Sequence, residues 1–570
     1  MESKSIKPKL QVKHLLYMGV FLAALSLRSY AAARLAITQP EADILLNMTQ
    51  TGAETGSHGS LLYQLLTLPL MAVFGSGRLV VRFWLILAGA LLTLVPLLFE
   101  DRLGEKPALI LSALLVLDPF GSAASLQLNS GLLTLVPLVF SLGFINRKNY
   151  LVGTIALLAF LLSGRAVLYP LGIGLILLLV LYLQKELTVV RRFALEVWDS
   201  ARANIRTILG VVVGLVLLTF ILRVPLSDGL NDIFAMFTSW GQPYALGSSP
   251  QLYPIALVSY VPLGLLLLIF PARTETSRNL NPYLYLVSLL ALILITINPG
   301  HQVLDLVWVS SPLWIVGALN LSNMLERIST YSGRVKIYAL IIISLLVSLS
   351  MTVVMLTYQY RYGLDLVGNL LSAISLLVMV TMVVLFLAYN DTVPMALTAL
   401  RWSLVIVMAV FQLGFSFRAL GLNDNPAGEI LWGGYFEGAE TVEQMIQNTS
   451  LTRTDTNLEM AVGILQPTNS AVTWELSRHY PAMELTGVTT DQRLAVLITQ
   501  DRDGLSGGSA DGYYGQDFNA NSYPFWIWQP GKSFLDADFW FWLFFRKGEM
   551  MRETNFIWVN KTLFVNSYWE

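Results

Sequence analysis

The sequence predicts a polytopic α-helical membrane protein, with about thirteen transmembrane helices and a small extracytoplasmic α/β domain at its C-terminus. Three observations lead there. Of 570 residues, 55% are hydrophobic and 13% charged, and mean hydropathy is +0.62; soluble domains carry about 25% charge. Apolar runs long enough for a hydrocarbon core of about 30 Å succeed one another up to Phe417. Lys and Arg then cluster in alternate loops, as cytoplasmic loops require.

The runs lie near 14–33, 79–99, 107–122, 127–145, 149–164, 166–184, 207–223, 253–271, 281–298, 302–322, 336–357, 366–389 and 396–417. With the N-terminus in the cytoplasm, the inside loops hold Lys4, Lys7, Lys9, Lys13, Arg102, Lys106, Arg147, Lys148, Lys185, Arg191, Arg192, Arg202, Arg206, Arg273, Arg278, Arg327, Arg334 and Lys336. The outside holds only Arg28, Arg34, Arg78, Arg82, Arg165, Arg223 and Arg361. The predicted location is the cell membrane, multi-pass. An alternative for the start is a signal peptide, with Lys4–Lys13 before an apolar stretch and Ala31-Ala32-Ala33 as a cleavage site.

Two outer segments are too long for turns, one near 34–78 and one near 225–253. The transmembrane domain is assigned to 1–417. Residues 418–570 form the C-terminal domain, with β-like runs at Ala461–Leu465 and Leu494–Thr499 and a helix over Ser470–Tyr480. Its aromatic-rich end, including Tyr523, Trp540, Phe541, Trp542 and Phe545, suits a domain resting on the bilayer and on helix ends. A substrate-stacking role is the alternative.

Composition also excludes function classes. The absence of cysteine removes disulfides, thiolate metal sites and a cysteine nucleophile. A net charge of −1 gives no basis for nucleic-acid binding. The four histidines, His14, His58, His301 and His479, have no metal-ligand spacing.

The first outer segment carries the candidate chemistry. It presents Glu41 and Asp43 just beyond the first helix, then a His58-Gly59 turn before an amphipathic stretch, then Arg78 and Arg82 on one face of a helix. Arginines can grip a phosphate bidentately, and a carboxylate can take a proton from an acceptor hydroxyl. The structural alternative is ordinary: arginines anchor helix ends among headgroups, and carboxylates cap short helices. Within spans, Arg165, Asp305 and Arg401 stand out, because charge in lipid is costly; Asp305, beside His301, is expected to pair with an arginine.

The order Glu41, His58-Gly59-Ser60-Leu61, Gly75, Arg78, then Arg82 and Gly89, resembles the multi-spanning GT-C glycosyltransferases, in particular the protein O-mannosyltransferase (glycosyltransferase family 39-like) and lipid A aminoarabinose transferase group. Leu103-Gly104 through Leu117-Asp118-Pro119 is similar to the next helix of that family, and His301 through Pro312-Leu313-Trp314 to a late helix near the donor lipid. The departures are Pro40 where the family has an Asp, and a His-Gly-Ser turn in place of His-Pro-Pro. The resemblance implies an enzyme moving a sugar from a polyprenyl-phosphate donor to a glycan, lipid or protein acceptor. It makes Glu41 or Asp43 the base or a ligand for a divalent cation (Mg or Mn), and Arg78, Arg82, His58 and His301 the substrate-binding residues. A non-catalytic envelope protein of the same fold and a transporter or flippase of lipid-linked solute are the alternatives.

Overall fold

The structure is a computed structural model describing chiefly residues 12–49, 60–184, 204–224, 252–270, 274–298, 302–329, 333–454, 461–465, 469–485, 494–502, 512–524 and 536–562. His58, His301 and most of the second long outer segment lie outside the described residues.

Every predicted apolar run is helical. The helices are α1 Val12–Arg34, α2 Gln39–Thr49, α3 Leu61–Phe74, α4 Arg78–Leu92, α5 Val95–Leu98, α6 Glu100–Leu103, α7 Glu105–Val116, α8 Pro119–Ala124, α9 Ser130–Asn146 and α10 Tyr150–Leu161. They continue as α11 Leu168–Leu183, α12 Ile205–Ile221, α13 Leu252–Tyr260, α14 Pro262–Ile269, α15 Glu275–Ile297, α16 Val307–Ser329, α17 Gly333–Arg361, α18 Val367–Asn390 and α19 Val393–Ala419. Among the described residues, seven helical segments are long and apolar enough to cross a membrane, including α1, α17, α18 and α19. The protein is therefore multi-pass.

The structure refines several boundaries. The runs near 79–99, 107–122 and 253–271 are each broken rather than continuous. At 117–119 the cause is local: Pro119 cannot donate to the preceding turn, and Asp118 caps the new helix by accepting the Gly121 N–H at 3.0 Å. Pro262 starts the second half of the other broken run in the same way. The segment near 34–78 contains two helices, α2 and α3.

Burial separates a centre from a flank. Within the apolar stretch of Val303–Glu326, 83% of residues are buried, whereas in those of Val335–Arg361 and Val367–Asn390 only 11% are, and apolar side chains there point outward. In water that outward surface would be unstable; against lipid it is the expected solvent-facing side.

After α19 the chain builds a head domain on the side where α1 and α19 end. It contains α20 Ala439–Thr454, α21 Ser470–His479 and α22 Ala537–Phe545, with β1 Val462–Leu465, β2 Ala482–Leu485, β3 Val496–Thr499, β4 Tyr513–Pro524 and β5 Met550–Asn560. The five-stranded sheet has the order β2-β1-β3-β5-β4. β1 lies parallel to β2 and β3, and β5 runs antiparallel to β3 and β4. Helix α21 is the crossover that a parallel β1–β2 pair needs.

The head is fastened to the bundle by buried polar contacts. Glu429 accepts the Tyr260 hydroxyl and pairs with Arg546 Nε at 3.0 Å. The Arg546 guanidinium lies over the Trp542 ring at 4.2 Å and the Tyr260 ring at 4.7 Å. A charge fully out of water is tolerated only with such compensation. Gly428 lets the backbone of Arg546 pass so closely that a Cβ there would collide with its carbonyl. Farther out, α22 packs Phe541 against Tyr362 at 5.9 Å, and Asp538 Oδ1 lies 2.9 Å from Arg361 Nε.

The opposite end of the bundle gathers its own ion pairs, Lys13 with Glu100 at 2.7 Å and Arg147 with Asp101 at 3.0 Å. Residues that charge alternation assigns to one side thus meet at one end, and Arg34, Arg78 and the head occupy the other.

Candidate functional site

The segment joining α1 to α2 is held from below by α4. Arg82, fully buried, donates Nε to Glu41 Oε1 at 3.0 Å and Nη2 to Oε2 at 2.7 Å. Its remaining N–H groups reach the carbonyls of Ala32 (3.3 Å), Leu35 (2.8 Å) and Ala36 (3.0 Å). Those carbonyls close α1, where orphan acceptors and the negative end of the helix dipole favour a cation. Glu41 Oε2 also accepts the Thr38 N–H at 2.9 Å and the Thr38 hydroxyl at 3.0 Å. Both oxygens of Glu41 and all the nitrogens of Arg82 are spent inside the fold.

This arrangement alters two expectations. Glu41 is not presented as a free base, and Arg82 does not face a ligand; the pair is a lock on the chain turn. Nor do Glu41 and Asp43 converge. They share α2, where positions two apart point about 200° away from each other. Glu41 faces inward and Asp43 is exposed. The two carboxylates therefore do not fit a shared divalent cation, since the Arg82 guanidinium already occupies the Glu41 side. No group of three His, Cys, Asp or Glu side chains suited to a metal occurs among the described residues.

From above, the segment is held by the head. Glu475 of α21 sends Oε1 to the Ile37 N–H at 3.0 Å and to Arg78 Nε at 2.9 Å, and Arg478 Nη2 stands 3.0 Å from Oε2. Burial pushes the Glu475 carboxyl up, but Arg78 and Arg478 outweigh it and hold it below the usual range. The Asn469 and Asn521 amides donate to Gln39 Oε1 at 3.3 and 3.0 Å, fastening the start of α2.

Between bundle and head lies a polar cavity of about 350 Å³, lined among others by Arg34, Arg78, Asn423, Tyr435, Glu437 and Glu440. Arg34 and Arg78 come from the bundle, Glu437 from the turn just before α20 and Glu440 from its first turn. Arg34 is exposed and donates to the Tyr30 hydroxyl at 2.9 Å. Glu437 is tied to Ser522 at 2.8 Å and Arg552 at 3.3 Å, while Glu440 is exposed. Of the predicted site residues, Arg78 alone among those described lines this cavity.

Sequence reasoning missed Glu475, Arg478 and Glu440, because nothing in α21 or α20 marks these side chains before the head is docked. It also passed over a deeper pair. Arg28 and Asp118 are fully buried; Arg28 Nη2 reaches the Leu115 carbonyl at 3.4 Å, and Asp118 Oδ2 accepts from Ser310 at 3.2 Å. Among the described residues, Arg28 Nη1 and Asp118 Oδ1 find no hydrogen-bond partner. Gly89 makes room there: a Cβ would stand 2.7 Å from Ser125 Cβ and 3.2 Å from Arg28 Nη1. Asp305, expected to pair with an arginine, caps its own turn, accepting the Gln302 N–H at 3.3 Å. Arg401 lies over the Phe270 ring at 5.4 Å.

No protein-family model and no curated protein matches the sequence. Among solved structures, the chain is similar to ArnT from Cupriavidus metallidurans. In the apo state, 82% of this chain covers 85% of that one at 15% identity, with a TM-score of 0.46. For ArnT bound to undecaprenyl phosphate the figures are 84% and 86% at 14% identity, with a TM-score of 0.49.

Proposed function

We propose that the protein is an integral membrane glycosyltransferase. It moves a sugar from a polyprenyl-phosphate-linked donor to an acceptor hydroxyl on the head side of the membrane, which charge placement makes the extracytoplasmic side. The observation that carries this reading is the polar cavity between bundle and head, lined by Arg34 and Arg78 of the bundle and by Glu437 and Glu440 of the head. The motif order of the first outer segment supports it.

In this reaction the acceptor oxygen attacks C1 of the donor sugar, and the bond from C1 to the phosphate oxygen breaks. The prenyl phosphate leaves with the bonding pair, and Arg78 and Arg34 stabilise the charge it gains. The acceptor proton passes to one of the accessible carboxylates of this face, Asp43 or Glu440. Glu41 and Arg82 keep the first segment in place beneath them. His58 and His301 remain assigned to substrate contact on the family resemblance.

One observation favours a non-catalytic protein of the same fold: Pro40 stands where the family has an Asp, and Glu41 is consumed by Arg82. Replacing Asp43 and Glu440 separately by Ala distinguishes the readings. Mass spectrometry of envelope glycans should show a specific sugar lost in at least one variant while membrane levels of the protein hold. Glycans unchanged in both variants, and on deletion of the chain, would leave only the non-catalytic reading.

A further inference from the structure

We propose that Glu475 is a positioning residue, by which the head domain aims the phosphate-binding arginine of the bundle into the cavity. The inference rests on the reading of the cavity as a prenyl-phosphate site and adds to it the group that arms that site.

The geometry is specific. Glu475 takes Arg78 by Nε, the lateral nitrogen, at 2.9 Å. Among the described residues no hydrogen bond engages Nη1 or Nη2 of Arg78, and Arg78 lines the cavity. A carboxylate on Nε fixes the plane of the guanidinium and leaves its terminal fork for a second oxyanion. A bidentate pairing such as that between Arg82 and Glu41, through Nε and Nη2 together, would instead consume one arm of that fork.

Charge points the same way. A single carboxylate beside Arg78 would cancel it and weaken its hold on an anion. Arg478, 3.0 Å from the other oxygen of Glu475, restores one net positive charge to the three side chains. The Ile37 N–H, bound to the same Oε1 at 3.0 Å, ties this carboxylate to the segment that follows α1. Glu475 keeps a hydrogen-bond donor and two cations around it, and it is 7% exposed. It therefore has no need to release Arg78 when a phosphate arrives.

Two consequences follow. Phosphate affinity depends on the head being docked, although Arg78 belongs to the bundle. Lysine is also a poor replacement for Arg78, since an ammonium cannot hold a carboxylate laterally and a phosphate terminally in one plane.

The test measures binding of farnesyl monophosphate to the full-length protein in lipid nanodiscs. R78A should abolish saturable binding. E475Q and R78K should each weaken it about tenfold, as expected for disturbing one charge-assisted contact. The E475Q/R78K double variant should bind no more weakly than either alone, because both remove the same alignment. E475D should bind within about threefold of wild type, because it keeps the charge. If E475Q fails to fold, R78K and E475D decide.

E475Q and R78K binding as wild type, with R78A still defective, overturns the positioning role and leaves the phosphate site standing. Additive losses in the double variant also overturn it. R78A binding as wild type removes the phosphate site itself, and the positioning role with it.

Discussion

Two carboxylate–arginine pairs sit one turn apart on α4, and they differ in what they leave free. The Glu41–Arg82 pair is sealed: both carboxylate oxygens are engaged by Nε and Nη2, and the remaining donors close the end of α1. The Glu475–Arg78 pair is open: the carboxylate meets the lateral nitrogen, a second arginine balances it, and the fork stands at a cavity. The same two residue types therefore do different work. One pair holds the chain in place, and the other offers charge to a ligand. Burial of an ion pair says little about its role until every donor and acceptor has been followed.

The largest expected effect comes from breaking the sealed pair. R82A or E41A leaves a buried charge uncompensated, at a cost of about 3–5 kcal/mol. The protein should fall sharply in membrane level and in thermal unfolding midpoint. Survival of either variant at wild-type stability would show that the pair is dispensable.

Breaking the open pair should act on chemistry instead. R78A is expected to lower sugar transfer on the order of a hundredfold. Its unfolding midpoint should drop much less than that of R82A. Equal destabilisation of the two variants would erase the distinction between a lock and a site.

Next is the crowding around Arg28. G89A should cost about 1–3 kcal/mol, because its Cβ has to displace Ser125 or the guanidinium. A neutral outcome in a thermal melt would mean that α1, α4 and α8 have room to separate.

The smallest expected effect is a pH dependence at the junction. Glu475 is held below its ordinary value of 4.5, so its contribution is intact at neutral pH and above. That contribution is lost only as pH falls from 4.5 through the folded value. His479 is also depressed from 6.5, by burial and then by the neighbouring Arg478. Its proton is therefore taken up first by the unfolded chain, and stability declines as pH falls below 6.5. H479Q should flatten the upper, shallow part of that decline and leave the steeper acidic part. A profile identical to wild type would separate His479 from the junction.

How much of this was legible in the sequence follows from the range of the forces involved. Lipid as solvent acts on every residue of a helix, so the apolar runs disclosed the bundle. The short β-like run at Ala461–Leu465 and the helical reading of Ser470–Tyr480 disclosed the β1–α21 portion of the head. The pairing of Arg78 and Arg82 on one face was readable from their spacing of four. Their partners were not: Arg78 meets Glu475 across 397 positions of sequence, and no local pattern reports such a contact. The proximity of Glu41 and Asp43 in sequence was misleading for the converse reason. In a helix, neighbours two apart diverge, and only the start of α2 at Gln39 reveals that.

Sugar transfer can be measured most directly by reconstituting the purified chain in liposomes with polyprenyl-phosphate sugars extracted from the native membrane, together with a membrane extract as acceptor source. Release of polyprenyl monophosphate is then followed by phosphorus NMR. The wild-type protein should release the monophosphate, and R78A almost none. Equal release by both, or none by the wild type while the same donors are consumed in intact membranes, would contradict the proposed transfer.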